Sequence, residues 1–168
     1  MTQLASFQNR INDVIPLTRS LGVKLESYDG HRLLVTAPLE PNSNHQGTGF
    51  GGSLYAVGVV AAWGVVELFL ADCSLTGTVV VQTGSIEYLG PVENDFFVVG
   101  ELPAGQELER FQKSLARHGK GRLNVEARLY CGAPELSPEG QAPRAVFQGR
   151  FVVSDARTRP AGWDVPEG

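Results

Sequence analysis

Across residues 54–71 the chain carries a single charge, Glu67, and every position from 55 to 64 is apolar or glycine. A segment with no polar face has to be buried on all sides. The pattern therefore predicts one long core helix that ends near Asp72 or Cys73. Before it, Leu4, Phe7, Ile11, Val14 and Ile15 recur at helical spacing. Pro16 interrupts that run and opens a short second turn, which Gly22 ends. In residues 22–37, Val23, Leu25 and Ser27 alternate with Lys24, Glu26 and Tyr28, and then comes Asp29-Gly30, a strong hairpin signal. The return strand, 31–37, puts Leu33 and Val35 on one face and Leu34 and Thr36 on the other, and Pro38 and Pro41 stop it.

After the core helix the period changes to two. Residues 78–90 read as a long strand whose interior Gly84 marks a bulge or a close backbone approach, and Gly90-Pro91 breaks it. Residues 96–102 form the next strand. Residues 103–119 read as a connection with one helical turn around Glu107-Leu108-Glu109-Arg110-Phe111. Residues 122–131 alternate cleanly, with Leu123, Val125, Ala127 and Leu129 inward and Asn124, Glu126 and Arg128 outward. Pro134, Pro138, Pro143, Gly132 and Gly140 make 132–143 an exposed loop. Residues 144–154 are the last strand, and 155–168 read as a mobile tail. The expected fold class is α+β: residues 1–154 as one domain, with an antiparallel sheet wrapped round one helix and an N-terminal helical segment over 1–21.

Composition narrows the function classes. A length of 168 residues suits one domain with a core of its own. A net charge of −4 gives no reason to expect a nucleic-acid partner. Residues 1–14 are polar without an apolar h-region, so an ordinary secretory signal is not expected and the expected location is cytoplasmic. Cys73 and Cys131 then read as reduced thiols. The histidines His31, His45 and His118 are scattered, no cluster has zinc spacing, and neither a metal nor a cofactor is expected. The core segment sits at the lower edge of membrane-span length. Glu67 falls inside it, small residues suit packing on a sheet, and no Lys or Arg flanks it within ten positions. No membrane span is expected.

The chemistry is expected in the loop that leads into this helix, Asn42-Ser43-Asn44-His45-Gln46-Gly47-Thr48-Gly49-Phe50-Gly51-Gly52-Ser53. A helix N-terminus offers unpaired N–H groups and partial positive charge, and glycines let a ligand approach the backbone. Within it, Gly47-Thr48-Gly49-Phe50-Gly51-Gly52 spells G-x-G-x-x-G, and Asp72 lies twenty residues past Gly52. That dinucleotide fingerprint has meaning only directly after a buried parallel strand. Glu40-Pro41-Asn42-Ser43-Asn44-His45-Gln46 is no such strand, and no βαβ alternation follows.

Asn44-x-x-Gly47-x-x-Phe50-Gly51-Gly52 resembles the N-x-x-G-x-x-H-G-G signature of hotdog-fold acyl-CoA thioesterases. The wider run from Ala37-Pro38-Leu39 to Gly51-Gly52-Ser53-Leu54 is similar to one branch, the thioesterase domain of the YiiD C-terminal type. Further matches are Ile86-x-Tyr88-Leu89-x-Pro91, Gly121-Arg122 and Ala145-Val146-Phe147-x-Gly149, so the resemblance spans about residues 14–154. It implies a hotdog fold, a homodimer or dimer of dimers with sheets joined edge to edge, and active sites at the subunit interface near the helix N-terminus. It also implies an acyl-CoA or acyl-carrier thioester as substrate.

On that resemblance, Asn44 places the water or thioester, and the Gly51 and Gly52 amides polarise its carbonyl. The plain alternatives are a turn asparagine and a helix entry capped by Ser53. Phe50 stands where the signature has histidine, with His45 five residues earlier. His45, Phe50 and Ser53 are the candidate contacts to substrate. Many members carry an acid eight residues after the first glycine of the pair; here that position is Val59. Glu67 lies sixteen residues from Gly51, roughly 24 Å along a helix, and reads as a helix-end carboxylate or an arginine partner. Thr83, Ser85 and Glu87 share a face of the long strand and are further candidates for a base. In the run Arg117-His118-Gly119-Lys120-Gly121-Arg122, Arg117, Lys120 and Arg122 read either as a clamp for coenzyme A phosphates or as a solvated hairpin loop. Three functions stay open: acyl thioester hydrolysis, hydration or dehydration of the same thioesters, and binding without catalysis.

Overall fold

The computed structural model describes residues 3–155. In chain order the elements are α1 (Gln3–Val14), α2 (Pro16–Ser20), β1 (Lys24–Tyr28), β2 (Arg32–Ala37), a 3-10 turn (Glu40–Asn42), α3 (Gly51–Asp72), β3 (Thr78–Tyr88), β4 (Phe96–Glu101), α4 (Gln106–His118), β5 (Lys120–Cys131) and β6 (Ala145–Ser154). The strands form one sheet in the order β1-β2-β4-β5-β6-β3, and all its pairs are antiparallel. α3 packs against β2, β3, β4, β5 and β6, so the sheet encloses it.

The small residues of α3 and the sheet set how closely the two approach. A Cβ on Gly58 would lie 2.9 Å from the Phe147 side chain, and one on Gly64 would lie 2.8 Å from Leu33. A Cβ on Gly100 of β4 would run into the Ala61 carbonyl. Helix and sheet therefore pack at a spacing that larger residues would prevent. By length and composition α3 could cross a membrane, but 67% of its most apolar window is buried within the protein. Its burial is not complete all round. Gly52 is exposed, and Tyr55, Ala56, Val59, Trp63 and Glu67 are half-buried along one stripe. α1 covers the far part of that stripe. Phe7 packs on Trp63 with ring centroids 5.6 Å apart, and Arg10 pairs with Glu67 at 2.9 Å.

Two expectations need correction, the hairpin turn and the 103–119 connection. The hairpin turns on Gly30-His31 rather than Asp29-Gly30, because the Asp29 N–H bonds the Arg32 carbonyl at 3.2 Å. Gly30 takes φ +94°, while the Asp29 carboxylate accepts from the His31 and Arg32 amides at 2.9 and 2.6 Å. The connection at 103–119 holds a full helix, α4, which buries Phe111 and Leu115 against β5 and ends at the left-handed Gly119. The tail expected over 155–168 lies outside the described residues except for Asp155, whose amide bonds the Gly119 carbonyl at 2.9 Å.

Candidate active site

The loop before α3 is closed by its own asparagines. Asn42 is fully buried, and its Nδ2 donates to the Leu21 and Pro38 carbonyls at 2.8 and 2.7 Å. Its backbone carbonyl accepts from the Phe50 amide at 2.7 Å, which fixes the residue just before the helix. Asn44 closes the bend itself. Its Oδ1 accepts from the Gln46 and Thr48 amides at 2.8 and 3.2 Å, and its Nδ2 donates to the Thr48 hydroxyl at 3.0 Å. In this chain, then, the Asn44 amide group is engaged within the loop.

α3 starts at Gly51 with Phe50 as the N-cap residue, and no side chain caps it. Ser53 is the third helical residue and does not serve as the cap. The first amides of the helix therefore keep their donor capacity. Two aromatic rings flank them. The Phe50 ring lies over Gly52, where a Cβ would come within 2.5 Å of it. The Tyr88 hydroxyl donates to the Gly51 carbonyl at 2.7 Å, and its ring would lie 3.2 Å from a Gly51 Cβ. A side chain at Gly52 would displace the Phe50 ring, and one at Gly51 would press on the Tyr88 phenol. Phe50, Tyr88 and Leu89 are 55%, 51% and 52% exposed, so the amides open to the surface between apolar walls.

Tyr88 closes β3, on the face that carries Gly84 and Ile86 toward the core. Burial, and then the nearby Tyr55, push its phenol above the ordinary value, so it is neutral at physiological pH. Tyr55 follows Gly51 by one helical turn. Its ring meets Phe147 edge-on at 5.3 Å, and its hydroxyl fills the space beside Gly84, 2.5 Å from where a Cβ would sit.

An antiparallel sheet behind a 3-10 turn, a long α3 and two glycines under aromatic rings describe a defined architecture. Residues 4–155 match the family described as "Putative thioesterase (yiiD_Cterm)". The chain belongs to that family. Its fold is the hotdog fold of thioesterases. A protein of unknown function from Chlorobaculum tepidum TLS shares 34% identity over 89% of this chain and 93% of its own, with a TM-score of 0.82. A "putative thioesterase" from Shewanella oneidensis shares 26% over 90% and 97%, with a TM-score of 0.74. A Haemophilus influenzae thioesterase at 13% identity, covering 91% of each chain with a TM-score of 0.67, shares the fold.

Within this yiiD C-terminal family member, the structure brings some candidate residues together and separates others. Phe50, Gly51, Gly52 and Ser53 lie at the start of α3, Asn44 bends the loop before it, and His45 is exposed on that loop. Thr83 and Ser85 do not face the helix. They line the outer surface of the sheet with Asn124, Gln148 and Arg150. Glu87 follows in the same strand phase and is exposed. Glu67 pairs with Arg10 at the far end of α3. The basic run is also remote. Arg117 ends α4, and Lys120 and Arg122 begin β5, which means they are not a hairpin loop. Lys120 pairs with Ser154, which pairs with Thr78, ten residues along β3 from Tyr88. That is about 33 Å at strand rise. His118, Arg110 and Ser114 line the same groove as Lys120 and Arg122. Arg117, Lys120 and Arg122 have no ion-pair partner among the described residues.

Tyr55 and Tyr88 are the site residues that sequence reasoning passed over. Tyr55 was hidden in an apolar run and Tyr88 in a strand motif. The available signals were the four-residue step from Gly51 to Tyr55 and the two-residue phase from Gly84 through Ile86 to Tyr88.

Proposed function

We propose that this protein hydrolyses acyl thioesters of coenzyme A or of an acyl carrier, by water attack on a carbonyl polarised by the Gly51 and Gly52 amides. The observation that carries this reading is the uncapped start of a buried helix in a thioesterase family, walled by Phe50 and Tyr88. Amides fixed at a helix N-terminus need no reorganisation when negative charge develops on the carbonyl oxygen. The walls favour an acyl chain over a charged metabolite.

The working unit in this reading is a homodimer joined through β3. Among the described residues that strand has a partner on one side only, and Val81 is 45% exposed on it. A long edge with little charge calls for pairing. Antiparallel pairing of two β3 strands sets the Thr78 end of one beside the Tyr88 end of the other. Arg117, Lys120 and Arg122 of one protomer then lie on the side of the other protomer's amides. The proposed phosphate clamp thus serves the neighbouring site.

Val59, one turn beyond Tyr55 on the same stripe, favours a second reading, acyl-thioester binding without turnover. Incubating the protein with acyl-CoAs of graded chain length and a thiol reagent separates the two. Saturable thiol release supports hydrolysis. Acyl-CoA binding with no release above the buffer rate supports the binding module.

A further inference from the structure

The Tyr55 side chain is held from two sides. Phe147 meets its ring edge-on at 5.3 Å, and Gly84 leaves room for its hydroxyl that any other residue at position 84 would fill. Gly84 lies inside a strand, where glycine costs stability and has to be justified by close approach. These contacts hold the ring on the Gly84 side of the helix, and its hydroxyl has no hydrogen-bond partner among the described residues. Tyr55 is half-buried and its hydroxyl keeps access to solvent, so a ligand can reach it. Tyr88, by contrast, already donates its hydroxyl hydrogen bond to the Gly51 carbonyl at 2.7 Å. Helical side chains point back over the preceding turn, and the preceding turn here is Gly51-Gly52. Val59 has no polar atom, and Thr83, Ser85 and Glu87 lie in the strand phase that faces away from α3.

The geometry points to Tyr55 as a substrate-facing residue: its fixed hydroxyl donates a hydrogen bond to the thioester group held at the Gly51 and Gly52 amides. Tyr88 is a positioning residue for those amides. This inference rests on the hydrolase reading above. The phenol donates a hydrogen bond and keeps its proton, so Tyr55 adds no covalent step. A neutral phenol suits the task because its O–H is a hydrogen-bond donor.

The test uses the full-length protein, Tyr55→Phe and Tyr88→Phe, with two readouts. One is steady-state hydrolysis of octanoyl-CoA. The other is the 13C signal of the tyrosine ring carbon that bears oxygen, on addition of S-(2-oxononyl)-coenzyme A, a ketone that keeps the carbonyl but cannot be hydrolysed. Loss of one donor to a developing oxyanion should lower kcat about ten- to a hundredfold in Tyr55→Phe, with KM within about threefold. The melting temperature should stay within about 2 °C, because no internal hydrogen bond is lost. The Tyr55 signal should move when the ketone binds. Unchanged kcat in Tyr55→Phe, a Tyr55 signal that does not respond to bound ketone, or a melting drop beyond about 5 °C would each overturn the role of Tyr55 and leave the hydrolase reading standing. A wild-type protein that neither releases thiol nor binds the ketone would overturn the hydrolase reading, and this inference with it.

Discussion

At the scale of single residues, the two asparagines of the entry loop have different tasks. Asn42 ties the end of α2 and the end of β2 to the residue that opens α3. Asn42→Ala removes one buried and one partly buried hydrogen bond and should cost about 2–4 kcal/mol in denaturant unfolding. Asn44→Ala opens the bend beside the glycine pair and should lower kcat at least about tenfold, because small displacements of a positioned group are costly; steady-state kinetics on the folded variant checks it. Glu67 is a different case. Burial lifts its carboxyl above the ordinary 4.5, and the bond and charge of Arg10 offset part of that rise. An acid whose folded-state pKa is raised adds stability while it is protonated. That contribution is complete below 4.5 and is lost as pH climbs through the raised value. Glu67→Gln should therefore flatten the fall in unfolding free energy above pH 4.5 and leave kcat within about twofold. A dead Glu67→Gln beside a fully active Asn44→Ala would place the chemistry at the wrong end of α3.

At the scale of elements, α3 is held close to the sheet by small residues, and its first turn carries no side-chain cap. Gly100→Val should destabilise the protein by about 3 kcal/mol or more in thermal or chemical unfolding, since the added carbons meet helix backbone that cannot give way. Val59→Asp tests the missing acid. Position 59 shares the stripe of Gly52 and Tyr55, about two turns or ~10 Å along the helix from Gly52. If water attack is limited by the lack of a base, kcat should rise about tenfold or more, a part of what a positioned base supplies. An unchanged or lower rate in a folded Val59→Asp would show that the present donors suffice or that position 59 faces elsewhere. α4 shows how an element escapes detection. Its apolar positions, Leu108, Phe111 and Leu115, are few among charges, and Gly105 and Gly119 bracket them. That spacing is helical, but only β5 supplies the partner that makes so thin a stripe stable.

At the scale of the molecule, β3 is the open question the chain poses to itself. One side pairs with β6 over ten registered positions, and the other side has no strand among the described residues. Val81→Lys adds a charge in the middle of that edge. It should shift sedimentation at micromolar concentration from dimer toward monomer and lower activity with it, because the proposed clamp comes from the partner. A wild-type protein that sediments as a stable monomer would overturn the shared-site arrangement.

The sequence by itself determined α3, the strand phases of β5 and β6, and the glycine-rich entry, because burial on all sides, alternation and punctuation are local patterns of polarity. It also carried the family resemblance, since Phe50-Gly51-Gly52-Ser53 is contiguous. Tertiary structure decided what proximity decides. It put Thr83 and Ser85 on the far face of the sheet, because a strand's two faces look alike until one of them meets a core. It carried Arg117, Lys120 and Arg122 to the opposite end of the sheet from Gly51, a separation that depends on strand order. It brought Tyr88 onto Gly51 and the Tyr55 hydroxyl beside Gly84 across 37 and 29 residues of chain, respectively. No pattern along the chain encodes those meetings; they follow from closing the sheet around the helix.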